Sequence, residues 1–220
     1  MARRSDQPIA PRASPPELPA RWEEDGAGLA PRADLTGVLL SGVTGDPSAL
    51  HGRIAESRID GLVCGRWELG GASLVDVEIL DVRAIEVGLR DGTWRSVELR
   101  GGRIGTLDAP RTAWDGVTVR GVRIDYLSFA AAELTDVSFV DCEIGTLDLP
   151  DARLTRVRFT GTRADEVGTR GLRARDLDLR GLETLAYTDP RALSGAWLDA
   201  GQAEAHATSF AEALGIRVAS

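Results

Sequence analysis

A five-residue period runs through most of this chain and constrains its fold more than any other feature. In the window 52–186, apolar or small residues recur at every fifth position from Ile54, and a second such series lies two residues before each of them. The two series hold 54 positions and none is charged, whereas the same window contains 23 Asp or Glu and 19 Arg. Random placement would put about 17 charges on those positions, so the pattern is not chance.

This period matches neither an α-helix nor an ordinary β-strand. Two inward side chains at spacing two indicate a very short strand, and the three remaining residues, rich in Gly, Asp, Thr and Arg, are typical of a turn. Four such sides close a square coil of twenty residues. The longer period is visible directly, because the segment 105–108, Gly-Thr-Leu-Asp, returns forty residues later at 145–148.

Two segments resemble the loose consensus of the pentapeptide-repeat family, Ala-Asp/Asn-Leu-x-x. They are Ala33-Asp34-Leu35-Thr36-Gly37 and Ala132-Glu133-Leu134-Thr135-Asp136. The resemblance covers roughly two thirds of the chain. It implies an all-β solenoid, a right-handed quadrilateral parallel β-helix, which here would have about seven coils stacked on an apolar core. Arg replaces Lys throughout, which indicates the codon bias of a GC-rich genome, and the resemblance implies a bacterial source of actinobacterial type.

One departure from the family pattern concerns the inward position two residues before the central residue of each five-residue repeat. The family usually has a small residue there. Large residues fill it at Leu62, Trp67, Leu107, Leu127 and Leu147, so we expect one side of the square to pack differently. Trp94 and Trp114 lie one coil apart, and we expect them to stack inside with each indole N–H bonded to a partner.

The composition divides the chain into three parts. Residues 1–32 are rich in Pro and Arg and predict an extended or disordered lead-in, and 33–198 form the β-helix. The stretch 45–47, Gly-Asp-Pro, predicts a loop that shifts the register of the repeat. Residues 199–220 predict a C-terminal capping α-helix and tail, because Asp199 and Gln202 have the spacing of a capping box.

Groups that could carry catalysis are few. The two histidines, His51 and His206, are expected to face solvent, and Cys64 and Cys142 fall on inward positions too far apart for a disulfide. The sequence has no phosphate-binding loop, dinucleotide fingerprint or nucleophile elbow. We therefore expect no catalytic residues, no metal site, no cofactor and no enzymatic activity.

Charge and hydropathy restrict the partners. A net charge of −8 argues against direct nucleic-acid binding, which needs a cationic surface. No stretch approaches the roughly 18 apolar residues of a membrane span, and the first residues lack the apolar region of a secretory signal. Two distant cysteines favour the cytoplasm.

The charged residues suggest one binding surface. All the charged residues between Ile124 and Ala152 are acidic, and they form a candidate partner-binding belt of Asp125, Glu133, Asp136, Asp141, Glu143, Asp148 and Asp151. A second ladder follows coil spacing: Arg83, Arg103, Arg123 and Arg163, interrupted by Glu143. These charges are either an ordinary solvated surface or a protein-binding face.

The C-terminal helix also has two interpretations. Phe210 and Leu214 share one helix face, and Ile216 continues the apolar character. The three residues either plug the chain's own core or form a homodimer contact, since some members of the family dimerise through this end.

These observations favour a non-enzymatic protein-interaction module or scaffold whose partner is unassigned. The resemblance implies one alternative, a DNA mimic that binds DNA gyrase or topoisomerase and alters the action of fluoroquinolone-type poisons. The acidic belt agrees with that alternative, whereas the Arg-rich coils from Arg153 to Arg180 break a continuous acidic face.

Overall fold

Short parallel strands stack in a twenty-residue register in the computed structural model, which describes residues 7–23 and 28–219. The result is a parallel β-solenoid of about eight turns, one more than the sequence predicts. The strands are β1 Asp34–Thr36, β2 Leu39–Ser41, β3 Arg53–Asp60, β4 Val63–Glu68, β5 Ser73–Gly88, β6 Thr93–Asp108, β7 Ala113–Asp115, β8 Thr118–Arg120, β9 Arg123–Ser128, β10 Glu133–Val140, β11 Glu143–Asp148, β12 Arg153–Thr160, β13 Thr162–Gly168, β14 Arg173–Asp178 and β15 Leu182–Tyr187.

The register gives every coil the same four sides. We number these sides with residues 133–152 as the reference coil. The first and second sides are the two halves of β10, and the third and fourth sides are the two halves of β11. From Arg53 onward, each paired strand residue faces the residue twenty positions on, as Leu134 does with Leu154 and Ile144 with Ala164. Residues that share a side and a position therefore form a column along the rod.

The two apolar series predicted from the sequence form the core, and their large side chains are buried almost throughout. Aromatic rings stack along this column, with Phe139 and Phe159 parallel at a centroid distance of 4.9 Å. The expected stack of Trp94 and Trp114 is confirmed at 4.7 Å. Their indole N–H groups, however, have no acceptor among the described residues, so the predicted hydrogen bonds are absent there.

Three of the four corners turn through a left-handed residue. At the corner between the first and second sides these include Asp76, with φ 54°, and Asp136, with φ 55°. Asp and Asn enter this region more readily than other non-glycine residues, which explains why carboxylates recur at corners.

The corner between the third and fourth sides is different. From Arg53 to Tyr187 it has no left-handed residue, and strands such as β9 and β11 run through it. Leu107, Leu127 and Leu147 lie just after this corner and point inward, three residues beyond the preceding inward site. Trp67, Leu107, Leu127 and Leu147 thus share one side and accompany a corner that is built from continuous strand. The prediction is wrong for Leu62, which lies before this corner, next to Val63 of the third side.

The predicted register shift is confirmed in the first coil. Thr44 pairs with Val63, nineteen residues on, whereas Ser48 pairs with Glu68, twenty residues on. The segment 44–48, which includes the Gly-Asp-Pro stretch, is therefore one residue shorter than the segment 63–68 that it faces.

Residues 7–23 lie along the outside of the rod, and we call this segment the N-terminal strap. Its residues have no strand or helix except at Glu23, which bridges Val38. It runs against the direction of coil growth, since the Ile9 N–H donates to Asp176 while the Glu23 N–H donates to the carbonyl of Gly37. The remainder of the predicted lead-in includes residues 1–6 and 24–27, which lie outside the described residues.

Helices close the C-terminal end of the column. A 3-10 helix spans Pro190–Leu193, α1 spans Ala200–Ala205 and α2 spans Ala207–Ala213. The predicted capping box is present, because the Asp199 side chain accepts from the Gln202 N–H and the Gln202 side chain accepts from the Asp199 N–H. The Gln202 side chain also donates to the carbonyls of Leu179 and Leu182, which fixes the helix on the last coil.

Candidate interaction surfaces

The seven residues of the predicted acidic belt do not lie on one surface. They follow the perimeter of the rod, because one coil carries consecutive residues around all four sides. Glu133 is on the first side, Asp125 and Glu143 are on the third, and Asp148 is on the fourth. The remaining three, Asp136, Asp141 and Asp151, occupy three left-handed corners.

Arginines of neighbouring coils neutralise most of the belt. Asp136 makes the tightest pair, accepting two hydrogen bonds of 2.6 Å from the Arg156 guanidinium, with both side chains largely buried. The hydrogen bond from Arg156 holds the pKa of Asp136 below its usual range. The other ion pairs are Asp125 with Arg103, Glu133 with Arg153, Glu143 with Arg123 and Asp141 with Arg120.

The corner position supplies a structural reason for three of these carboxylates. Asp136, Asp141 and Asp151 all have a positive φ, between 53° and 56°. A residue that tolerates this conformation is needed there whether or not a partner binds. We infer that corner geometry and ion pairing account for most of the belt, and the sequence interpretation of it as one docking face has no support in this geometry.

The third side carries a more distinctive surface, which we call the glycine-notched face: residues 83–85, 103–105, 123–125, 143–145 and 163–165. Its outer column alternates glycine with larger side chains. A Cβ at Gly105 would lie 2.6 Å from the carbonyl oxygen of Ile85, and one at Gly145 would lie 2.4 Å from that of Asp125. Only glycine fits this close approach, and the missing side chains leave notches.

Two shallow depressions follow from these notches. The larger, of about 730 Å³, surrounds Gly105 and lies between Arg83, Ile85 and Arg103. The smaller, of about 420 Å³, surrounds Gly145 and lies between Asp125 and Arg163. The sequence signal for both was the return of glycine at forty-residue intervals, which the sequence interpretation attributed to turns alone.

The predicted arginine ladder lines this face, and its members differ in their partners. Arg103 and Arg123 both pair with Asp125, and Arg163 pairs with Asp165. Arg83 makes no ion pair with any residue in 7–23 or 28–219. Beside it, the Ile85 side chain is 74% exposed, so an unpaired cation and an exposed apolar group lie together at the larger notch.

The thiols and imidazoles do not form a reactive cluster. Cys142 is buried and Cys64 is half-buried at the edge of the larger notch, and burial raises the pKa of both thiols. His51 is exposed as predicted, but the prediction for His206 is wrong, because it is half-buried edge-on against Tyr187 at 5.0 Å. Burial also raises the pKa of Tyr187 to about 12.

Two further properties of the described residues bear on function. In the ranges 7–23 and 28–219, no group of three or more His, Cys, Asp or Glu is placed to hold a metal ion. No helix of the described chain is long and apolar enough to cross a membrane.

The C-terminal residues proposed for a dimer contact point in different directions. Phe210 packs partly against the core, with its ring 6.4 Å from that of Tyr187. Leu214 and Ile216 are 71% and 55% exposed, and Val218 is exposed beside them. Phe210 therefore serves the plug, whereas the later residues leave an apolar patch at the end of the rod.

Comparison with known proteins finds structural likenesses only. No family model matches the chain, and no curated protein matches it. A trypsin-treated variant of QnrB1, a plasmid-mediated fluoroquinolone resistance protein, is 17% identical, with 86% of this chain and 100% of that chain covered and a TM-score of 0.36. A second trypsin-treated QnrB1 variant is 15% identical, with 87% and 96% covered and a TM-score of 0.26.

The pentapeptide-repeat protein HetL of the cyanobacterium Nostoc sp. strain PCC 7120 is 12% identical. The alignment covers 73% of this chain and 87% of HetL, with a TM-score of 0.23. At these identities and TM-scores the likenesses assign no function, and the solenoid architecture rests on the strand register described above.

Proposed function

We propose that this chain is a non-enzymatic protein-interaction module that binds a partner through the glycine-notched face. The observation that carries the proposal is that Arg83, which has no ion pair within residues 7–23 and 28–219, lies beside the exposed Ile85 at the notch of Gly105. Arginine is one of the three side chains that most often dominate binding energy at protein interfaces, and an exposed Ile adds apolar surface that a partner can remove from water. A partner segment with an acidic side chain for Arg83 and an apolar side chain for the notch fits this chemistry.

Ion pairing favours Arg83 over the other arginines of this face. Arg103, Arg123 and Arg163 already pair with Asp125 or Asp165, so a partner would gain little by replacing those contacts. Arg83 has no such contact to lose among the described residues. Covering Ile85 adds roughly 1.5–3 kcal/mol of hydrophobic gain.

Site-specific photo-crosslinking in the native host tests this proposal. A photoreactive side chain at Ile85 should yield an adduct of one defined mass, and the same group at Leu185 should not. Leu185 is the matched control because it lies in the same column and is 73% exposed. Equal adducts at both positions, or none at Ile85, would overturn the proposal.

Affinity for the captured protein then measures the contribution of each residue. Arg83→Glu and Ile85→Asp should each weaken binding by on the order of tenfold or more. Leu185→Asp and Arg173→Glu, at exposed positions elsewhere, should leave it unchanged. Unchanged affinity of the first two variants would show that binding occurs elsewhere on the rod.

A second candidate function is the DNA-mimic binding of DNA gyrase that the sequence resemblance implies, and the net charge of −8 favours it. Gyrase supercoiling with micromolar protein at two salt concentrations tests it. Salt-sensitive inhibition, or rescue from a quinolone, that is weakened by charge reversal of Asp125, Asp141 and Asp148 would support this candidate. No effect of the protein on supercoiling at any concentration would exclude the DNA-mimic function.

The same proposal includes expectations about the cellular location and the oligomeric state of the protein. The protein acts in the cytoplasm without direct contact to nucleic acid or membrane. The exposed Leu214 and Ile216 form a homodimer contact at the C-terminal end of the rod.

A further inference from the structure

The N-terminal strap lies over one corner of the solenoid, the corner between the first and second sides. Three of its backbone N–H groups donate to carboxylates of a single column. The Ile9 N–H donates to Asp176 at 3.2 Å, the Arg12 N–H to Asp136 at 2.9 Å and the Glu17 N–H to Asp76 at 3.1 Å. Those carboxylates are separated by whole coils, forty and sixty residues apart, so the strap spans much of the length of the rod.

Proline explains how an extended segment can lie on this surface. The strap has neither helix nor strand over 7–22, and Pro8 is buried while Pro11, Pro16 and Pro19 are half-buried. A proline has no N–H to satisfy, and its fixed φ favours an extended chain. The strap therefore packs prolines against the rod and donates three backbone hydrogen bonds to carboxylates of the rod.

A glycine in the same column lies close to the strap. The equivalent corner residue in the middle of the column is Gly116, where an added Cβ would lie 4.0 Å from the Cα of Ala13. At the far end, the Arg58 guanidinium lies over the Trp22 ring at 5.4 Å, and Glu23 joins the first coil at Gly37. The strap therefore follows this corner from the last coils to the first, held by three hydrogen bonds to one column of carboxylates.

From this arrangement we propose that the corner column of Asp76, Asp136 and Asp176 is a recognition groove for extended, proline-rich peptide segments. The strap fills the groove in cis as a releasable cover, and a partner with an extended proline-rich segment of the same donor spacing competes for it. The recognition is by the main chain, with N–H donors at positions equivalent to 9, 12 and 17 and prolines against the rod. This surface is distinct from the glycine-notched face, so it stands or fails separately from the function proposed above.

The first test removes the donors and keeps the extended conformation. In full-length protein, Arg12→Pro with Glu17→Pro deletes two of the three N–H groups, each next to an existing proline. Trypsin cleavage after Arg21 should then accelerate by on the order of tenfold, because the strap is released. Ser14→Pro is the matched control, since Ser14 is exposed and its N–H donates to none of the three carboxylates, and its cleavage rate should not change.

The second test supplies the ligand in trans. A fluorescent synthetic peptide of residues 7–23 should bind the full-length Arg12→Pro/Glu17→Pro protein saturably, as measured by anisotropy. Adding Asp76→Gly and Asp176→Gly should weaken this binding by on the order of tenfold, since glycine keeps the left-handed corner but removes the acceptor. Asp81→Gly, at a left-handed position on another corner with φ 51°, should leave it unchanged.

Three results would overturn the proposal. Unchanged trypsin cleavage of the Arg12→Pro/Glu17→Pro protein would show that the donors do not hold the strap. Released strap without peptide binding would show that the corner is no groove for a ligand in trans. Equal binding of a peptide that itself carries the two prolines would show that main-chain donors are not recognised.

Discussion

The rings of Trp94 and Trp114 stack with centroids 4.7 Å apart and planes 1° from parallel. This distance matches the separation of neighbouring strands, so identical side chains in one column are brought to stacking distance by the register itself. The Phe129 ring then lies nearly perpendicular to the Trp114 ring, with the two ring centroids 4.8 Å apart. The core is consequently continuous from coil to coil rather than divided into separate clusters.

Replacing one ring of this stack should be costly. We expect Trp114→Ala to lower the free energy of unfolding by about 3–5 kcal/mol, measured by urea titration with far-UV circular dichroism, because it leaves a cavity in a packed column. Trp114→Phe should cost far less, since it keeps a ring and removes an indole N–H that has no acceptor among the described residues. A loss below about 1 kcal/mol for Trp114→Ala would contradict this account of the core.

Filling a notch should strain the backbone of the neighbouring coil. We expect Gly145→Ala to lower the unfolding free energy by about 1–3 kcal/mol, because its Cβ would meet the Asp125 carbonyl oxygen at 2.4 Å. Gly201→Ala is the control, since its Cβ would meet only a side-chain oxygen of Asp199, at 3.3 Å, within a helix that alanine favours. Equal stability of the two variants would show that no close approach exists at Gly145.

The Asp136–Arg156 pair should give stability a defined pH dependence. The folded-state pKa of Asp136 is lowered, so its contribution is fully present above the unfolded value of about 3.9 and is lost as pH falls through the folded value. Asp136→Asn should therefore be less stable than the parent protein at neutral pH, and the difference should shrink as pH falls below about 4. Urea titrations at several pH values measure this.

Asp81→Asn provides the comparison, because Asp81 is also left-handed but makes no ion pair with the described residues. Its effect on stability should show little dependence on pH. A pH-independent deficit for Asp136→Asn would mean that the pair contributes no charge-dependent stability.

The exposed apolar patch at the C-terminal end should set the oligomeric state. If Leu214 and Ile216 form the proposed contact, sedimentation velocity should show a dimer that Leu214→Asp with Ile216→Asp converts to a monomer. Ile85→Asp, on the side of the rod, should leave the dimer intact. A parent protein that sediments as a monomer at all concentrations would exclude the contact.

The part of the fold that could be predicted from sequence is the part that repeats. Two of every five residues point inward, and this pattern predicts the two buried series and the stack of Trp94 and Trp114. The interruption of the same pattern predicts the register shift between 44 and 48. The terminal capping box was accessible for a similar reason, because it depends on residues only three apart.

The surfaces were harder to predict because they combine residues that are distant in sequence. The acidic belt is contiguous along the chain, but a coil distributes contiguous residues around the rod, and ion pairs such as Glu133 with Arg153 form between coils. An extended lead-in was one of two alternatives that the sequence left open, but its contacts with the rod were not predicted. They follow no periodic pattern, and the contact from Arg12 to Asp136 joins residues 124 positions apart. Column positions twenty residues apart, rather than runs of charge, are the right basis for finding surfaces in such a chain.

Every column, and therefore every surface assigned above, depends on the twenty-residue register. The most direct test is to excise one coil, residues 113–132, which removes β7, β8 and β9 and joins equivalent positions. This shortened protein should keep a β-rich far-UV spectrum and a single cooperative unfolding transition, with an m-value reduced in proportion to the surface removed. Excision of 113–127, three sides of a coil, should abolish cooperative folding. If both shortened proteins fold alike, or neither folds, the register is not what specifies this structure.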